Sequence, residues 1–405
     1  MIWKESNISE ISRIGDGAHA SLKRIKSGIP YLTAKNITKM GIDYSNMDYI
    51  SEQTYNKYFR DKSNALTKPQ KDDILYSIIG SIGGVYVVRN EKVGISSSVA
   101  IFRTNSDVIM PHYLAYFLKS PFLDAQVQAI KGGVAQGFIS LEKLGSISIL
   151  YPEDIEYQKK IVDILFAYDA LIENNQKQIK LLEEAAQRIY KEWFIDLHFP
   201  GYEATEIFED IPNGWDKKKI SDLGEIITGK TPSTAKKQYY GGHIPFVKIP
   251  DMHDCIYPIK TELSLTTEGA NTQKNKFVPK NGIMVSCIAT VGLVNIAVES
   301  CQTNQQINSI ILNDEKDLYY IYSTMKRLKG LLEGIGSNGA TMTNVNKTKF
   351  GNLEVLYPSE DLRKAYYDFC KPIFEEIYTL SVKISELSQA RDCLLPKLMS
   401  GELEV

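Results

Sequence analysis

The eight residues GEIITGKT, Gly224 to Thr231, fit the phosphate-cradling pattern G-x-x-x-x-G-K-[ST] at every defined position. In a working site of this kind glycines let backbone N–H groups wrap phosphates, the lysine reaches the terminal phosphates and the hydroxyl holds magnesium. The chemistry would be that of a P-loop nucleotide-binding enzyme using Lys230 and Thr231. Such a loop must follow a buried strand and open a helix whose N–H groups face the phosphate. Here the preceding residues, Trp215-Asp-Lys-Lys-Lys-Ile-Ser-Asp-Leu223, are too charged for a central parallel strand. The residues after Pro232 reach Gly241 without an apolar helical period. A strand of four hydrophobes closing on Asp is missing too; Ile310 to Asp314 comes nearest and carries Asn313 where an apolar residue belongs.

The remaining chemistry-bearing patterns are weaker. Gly334-Ile-Gly336-Ser-Asn-Gly339 satisfies G-x-G-x-x-G, but it follows a helical stretch and precedes a polar one, the reverse of the order a dinucleotide site requires. His253, in Asp251-Met-His-Asp-Cys255, has no further ligand types at helical or hairpin spacing. None of the five histidines lies near a matched Ser or Cys, so no nucleophilic triad forms. There is no carboxylate-and-lysine cluster of nuclease type and no Asn-Pro-Pro-aromatic motif of an amino-methyltransferase. The expectation is a chain with no catalytic centre and no metal site of its own.

The elements around these patterns carry more information. A chain of 405 residues exceeds what one core usually organises, so two or three domains are expected. Five cysteines without C-x-x-C spacing argue for reduced thiols in a cytoplasmic compartment rather than a disulfide framework. No apolar run approaches the ~20 residues that span a bilayer, so a soluble chain is expected. The whole-chain charge of −2 hides an alternation: +5 over 1–150, −5 over 151–204, +1 over 205–355 and −3 over 356–405. Polyanion binding, if present, belongs to the first and third segments.

The order of features in the first half recurs in the second. Gly28-Ile-Pro-Tyr31 is answered by His243-Ile-Pro-Phe246, and Pro69 to Ser77 by Pro279 to Ser286. Ser81-Ile-Gly83 matches Thr290-Val-Gly292, and Tyr151-Pro152 matches Tyr357-Pro358. Four matches in the same order, at an offset drifting slowly from about 215 to about 206, indicate a tandem duplication. Short β-favouring runs predict strands in each half: ILYSIIG, VYVV, VAIF and SISIL, then IMVSCIA, VNIAV, INSIIL and LEVL. Short helices are expected near Pro111–Ile130 and Asp317–Glu333.

Each half ends in a different pattern. Ile161, Leu165, Tyr168, Ile172, Asn175, Ile179, Leu182, Ala186, Ile189 and Trp193 are separated by alternating steps of four and three. Ile373, Ile377, Leu380, Ile384, Leu387, Arg391, Leu394 and Leu398 repeat this 205 residues on. A 3.5-residue period is the signature of a coiled-coil seam. Residues 161–193 would extend about 50 Å at ~1.5 Å per residue. Two lone helices with matched seams can bury them against each other, antiparallel, with the polar Asn175 and Arg391 fixing register at a cost in stability.

Duplicate halves, each an α+β domain followed by a long helix, strongly resemble the specificity subunit of Type I restriction-modification enzymes. The resemblance covers essentially the whole chain. It is carried by the paired openings at 28–31 and 242–246, by ENNQKQIKLLEEAAQRIYKEWF (173–194) and by CLLPKLMSGELEV (393–405). It implies an α+β fold: a tandem pseudo-twofold repeat of two globular α/β target-recognition domains, 1–152 and 201–358. Two long antiparallel coiled-coil helices, 153–200 and 359–405, would separate them. It also implies double-stranded DNA as target, each domain reading one half of a bipartite site and the helices setting the spacer. Two modification subunits carrying adenine methyltransferase chemistry and S-adenosylmethionine would dock on the helices, and motor-nuclease subunits would join with ATP and Mg2+.

A recognition domain needs cations for phosphates and Arg, Lys, Asn, Gln, Ser or Thr for base edges. In the first domain these concentrate at Lys23, Arg24, Lys26, Lys35 and Asn36, and at Lys131 to Gln136. In the second they are Lys230, Thr231, Ser233, Lys236, Lys237 and Lys248, with Asn338, Thr341 and Thr343. A net +6 over the two domains predicts weak DNA binding by the isolated subunit, with partners supplying much of the phosphate contact.

Overall fold

A computed structural model describes residues 1–405 except 39–40, 45, 62–64, 81, 132–136 and 337–343. The chain forms two compact units, one of residues 1–170 with 388–405 and one of 171–387.

The first unit is built on a four-stranded antiparallel sheet, in the order Ser12–Asp16, Val99–Thr104, Ile74–Ser77, Val85–Val87. Alternate side chains of a strand face opposite sides. Ile74, Tyr76, Ala100 and Phe102 enter one core, while Leu75, Val99 and Ile101 enter another. Burial on both faces is why ILYSII reads as a continuous apolar run instead of alternating with polar residues. One face packs on the helices Pro111–Phe117 and Pro121–Lys131. The other covers a small sheet in which Ile29–Leu32 lies between Asp48–Ile50 and Gly94–Ile95. That sheet contains a parallel pairing, Tyr31 with Gly94 and Leu32 with Ile95.

The second unit repeats this plan. Its main sheet runs Gly224–Thr228, Ile307–Leu312, Ile283–Ser286, Val294–Ile296, again antiparallel throughout. Ile283 and Val285 face one core and Met284 the other. Tyr240–Val247 takes the place of Ile29–Leu32, and its Phe246 and Val247 pair in parallel with Gln302 and Thr303. The helices Leu318–Arg327 and Lys329–Gly336 answer the first pair. In both units a two-stranded ribbon leads into a long helix: Trp3–Asn7 with Ser148–Pro152, and Asp216–Lys219 with Glu354–Tyr357.

The long helices span Ile155–Phe194 and Glu360–Ser400, with acidic residues in each first turn. Within the first unit Arg391 pairs with Asp169 at 2.6 Å and the Val405 N–H donates to the Tyr157 hydroxyl, so the two segments run antiparallel. Within the second, the Tyr366 ring lies against Tyr190, Trp193 and Phe194. The structure adds a destination that the heptad spacing does not reveal. Ile161 and Leu165, with Leu394, join the first unit's core, whereas Ile179, Leu182, Ile189, Ile373 and Ile377 join the second's. Ile172, Asn175 and Leu380 are buried, the two hydrophobes outside both cores, and Ile384 and Leu387 are half-buried. The helices thus furnish the floor of each domain. Among the described residues no helix is long and apolar enough to cross a membrane.

Candidate nucleic-acid interface

In the first unit the stretch 18–28 is tied down at three points. Ala18 bridges Ser96, Ile25 bridges Tyr49, and Gly28 adopts φ +153° where a Cβ would lie 2.5 Å from the Ile50 carbonyl oxygen. Lys23 and Lys26 between these anchors are exposed. The Arg24 guanidinium sits 4.0 Å over the Tyr31 ring, donates to the Leu22 carbonyl and lies 3.4 Å from the Asp48 carboxylate. Burial raises the Tyr31 hydroxyl above its ordinary value. Lys35 reaches the same Asp48 at 3.9 Å, so two cations flank one partly exposed carboxylate. Ion pairs this exposed contribute little, and a phosphate would compete for both cations.

Asn36 must be removed from the candidate set. It is buried; its Oδ1 accepts from the Thr33 N–H and hydroxyl, and its amide nitrogen faces the Asp43 and Asn46 carbonyls. The side chain closes a turn and has no group left for a base. Asp251 has the same role in the second unit, accepting from the N–H groups of Lys248 and Glu262.

The P-loop reading fails on geometry. Gly224–Thr228, the first part of the motif, is a strand rather than a loop. The Gly229 N–H donates to the Ile307 carbonyl and the Lys230 N–H to the Thr303 carbonyl, so the groups that would cradle a phosphate are already engaged. No α-helix follows; the next regular element is one 3₁₀ turn at Lys237–Tyr239. The segment is also pinned. Gln273 donates to the Lys230 carbonyl, the Thr231 hydroxyl to Gln305, and the Tyr240 hydroxyl to the Pro232 carbonyl. Beyond these anchors Lys230, Ser233, Lys236 and Lys237 are exposed. Lys236 donates to the Tyr239 hydroxyl at 3.0 Å, and this bond raises its pKa. Lys248, by contrast, is mostly covered and pairs with Glu262 at 2.8 Å.

Lys131 ends the helix Pro121–Lys131. Gln136, Asn338, Thr341 and Thr343 lie outside the described residues. Gly334 and Gly336 of the dinucleotide-like pattern belong to the helix Lys329–Gly336. His253 is exposed beside Asp254, whose φ of +56° marks a turn, and among the described residues no cluster of His, Cys, Asp or Glu could hold a metal ion. Sequence reasoning missed an open groove of about 730 Å³ lined by Ser9, Ser12, Arg13, Asp16, Glu142 and Ser146. Its residues are far apart in sequence and meet only because the helix Leu141–Gly145 packs beside Ser12–Asp16.

The description "Type I restriction modification DNA specificity domain" fits residues 2–184 and again residues 212–387. The chain belongs to this family. A specificity subunit of the HindI enzyme from Haemophilus influenzae is 31% identical over 401 residues, covering 82% of this chain and 87% of its own. The specificity subunit of the MjaIX enzyme from Methanocaldococcus jannaschii is 27% identical, over 100% of this chain and 94% of its own. The crystal structure of a Type I system S subunit from M. genitalium shares the fold, with a TM-score of 0.55 at 14% identity over 98% of this chain and 96% of that one. As a specificity subunit the chain carries its family's domain twice, and the two matched stretches contain the two main sheets.

Proposed function

We propose that this specificity subunit is the non-catalytic reader of a Type I complex in the cytoplasm. Each of its two sheet-based domains recognises one half of a bipartite DNA site. The long helices set the distance between half-sites and dock two modification subunits. S-adenosylmethionine belongs to those partners; ATP and Mg2+ belong to motor-nuclease subunits that join them.

The observation that carries this reading is the repetition of one strand order, parallel pairing included, in two units of one chain. A bipartite target calls for two readers of the same design and different surface. Exposed cations at Lys23, Lys26, Lys230, Lys236 and Lys237 on anchored loops supply phosphate contacts. The test is modified-base sequencing of DNA from cells carrying the subunit with its modification partner. A bipartite methylated motif is expected, with one half changing when residues 1–150 are exchanged for those of another family member. An unchanged motif would overturn the reading.

A further inference from the structure

In both units the turn after one of the two inner strands of the main sheet, Ile74–Ser77 or Ile283–Ser286, meets a short extended segment, 137–139 or 344–345. In the first, the Ile139 N–H donates to the Ile78 carbonyl, the Gly80 N–H donates to the Gly137 carbonyl, and Ile79 bridges Phe138. In the second, the Val345 N–H donates to the Cys287 carbonyl and Ile288 bridges Asn344. Phe138 and Asn344 therefore occupy the same place, 206 residues apart.

The surroundings of this place repeat. Ile139 and Val345 follow it and are buried in the respective cores. Ser140 and Asn346 come next, and each caps a short helix by accepting the N–H three residues on, from Lys143 and Lys349. Those two lysines stand at matching exposed positions. At the bridge itself the chemistry differs: an aromatic, 55% exposed and next to the 39% exposed Ile79, against an exposed amide.

In a duplicated reader of two different sequences, scaffold positions repeat and reading positions diverge. Phe138 is costly to leave in water and is positioned by the main-chain hydrogen bonds of its neighbours Gly137 and Ile139, as a residue that meets an apolar base edge should be. Asn is the amide that pairs with adenine through N6 and N7, while an aromatic side chain contacts the thymine methyl. The exposed Lys143 and Lys349 offer cations beside the bridge, Lys349 also donating to the Ile335 carbonyl at 3.4 Å, and phosphates take such cations.

We propose that Phe138 and Asn344 are specificity-determining residues, Phe138 contacting a thymine methyl in one half-site and Asn344 an adenine edge in the other. This rests on the half-site reading above. The experiment assembles full-length Phe138→Asn and Asn344→Phe variants with the modification partner and maps methylated motifs in host DNA. Each variant is expected to shift the relative methylation of alternatives at one base of one half-site by about tenfold or more, leaving the other half unchanged. Wild-type motifs at wild-type extent in both variants would overturn the assignment while leaving the half-site reading intact. Loss of methylation at all sites without a shift would place the residues in folding or assembly and overturn it equally. Absence of any subunit-dependent bipartite motif in the wild type would remove the underlying reading as well.

Discussion

Arg363 and Asp317 form a buried ion pair in the second unit, and replacing Arg363 by Gln offers a quantitative test of how that unit is held. Asp317 is 2% exposed and Arg363 8%. The Tyr357 hydroxyl donates to Asp317 at 2.7 Å, the Arg363 Nε donates to the Pro358 carbonyl, and the guanidinium stacks over the Tyr357 ring. The network joins the N-cap of Leu318–Arg327, the last ribbon strand and the start of the C-terminal long helix. In the first unit the matching position is Gln158, a neutral side chain. It accepts from the Met110 N–H at a helix N-cap and donates to the Val108 and Pro152 carbonyls. Arg363→Gln alone would strand the Asp317 carboxylate in a low-dielectric interior, and breaking a buried pair from one side costs roughly 3–5 kcal/mol. In a unit of this size each kcal/mol moves the midpoint by ~2–4 °C, so the transition should fall by about 6–20 °C. Asp317→Asn with Arg363→Gln removes both buried charges and leaves the partly exposed Asp314 carboxylate, 3.7 Å from the native guanidinium, to water. The double variant should recover most of the loss, leaving a coupling of at least ~2 kcal/mol in the cycle. Thermal and urea unfolding of the four chains measures this. A single-variant loss below about 1 kcal/mol, or a double variant less stable than Arg363→Gln, would refute the reasoning.

Three further outcomes follow from other sites. A Cβ at Gly229 would lie 2.2 Å from both the Thr303 hydroxyl and the Asn304 carbonyl oxygen; Gly229→Ala should therefore lower stability by about 1–3 kcal/mol in urea unfolding. Asn36→Ala should destabilise the first unit by about 1–2 kcal/mol through lost turn hydrogen bonds, with the methylated motif unchanged when mapped by sequencing. Burial pushes the thiols of Cys255, Cys301 and Cys370 up to about 12 and that of Cys287 up to about 11, so all four stay protonated at pH 8, whereas Cys393 is exposed. A thiol-specific chromogenic reagent should titrate one cysteine rapidly in the native chain and all five after denaturation.

The duplication was legible because Ile-Pro-aromatic and Tyr-Pro pairs sit at fixed structural places. Pro30 and Pro245 lie in equivalent strands, and Tyr151 and Tyr357 in the ribbons that precede the long helices. The apolar runs ILYSII and IMVSCI announced strands because both faces of those strands are covered. The parallel pairing of Tyr31 with Gly94 was not legible, since it joins residues 63 apart with no local signal. Nor did residue type reveal that Asn36 faces inward, because an amide suits a turn as well as it suits a base. The heptad spacing located a covered stripe on each helix, yet a 3.5-residue period does not say what covers it. Whether Ile161 and Ile377 meet a second helix or a domain core is decided by tertiary packing.

The first unit is discontinuous in sequence. Leu395, Leu398 and Met399 complete its core, and the Gly401 backbone lies against the Trp3 ring. Synthesis and completion therefore run in opposite orders. The N-terminal domain emerges first but lacks part of its floor until 388–405 have left the ribosome, whereas 171–387 is contiguous and can close without waiting. During translation the nascent chain holds an unfinished apolar surface for the whole time its second half is made. Through that interval the exposed apolar surface is open to aggregation and to chaperones.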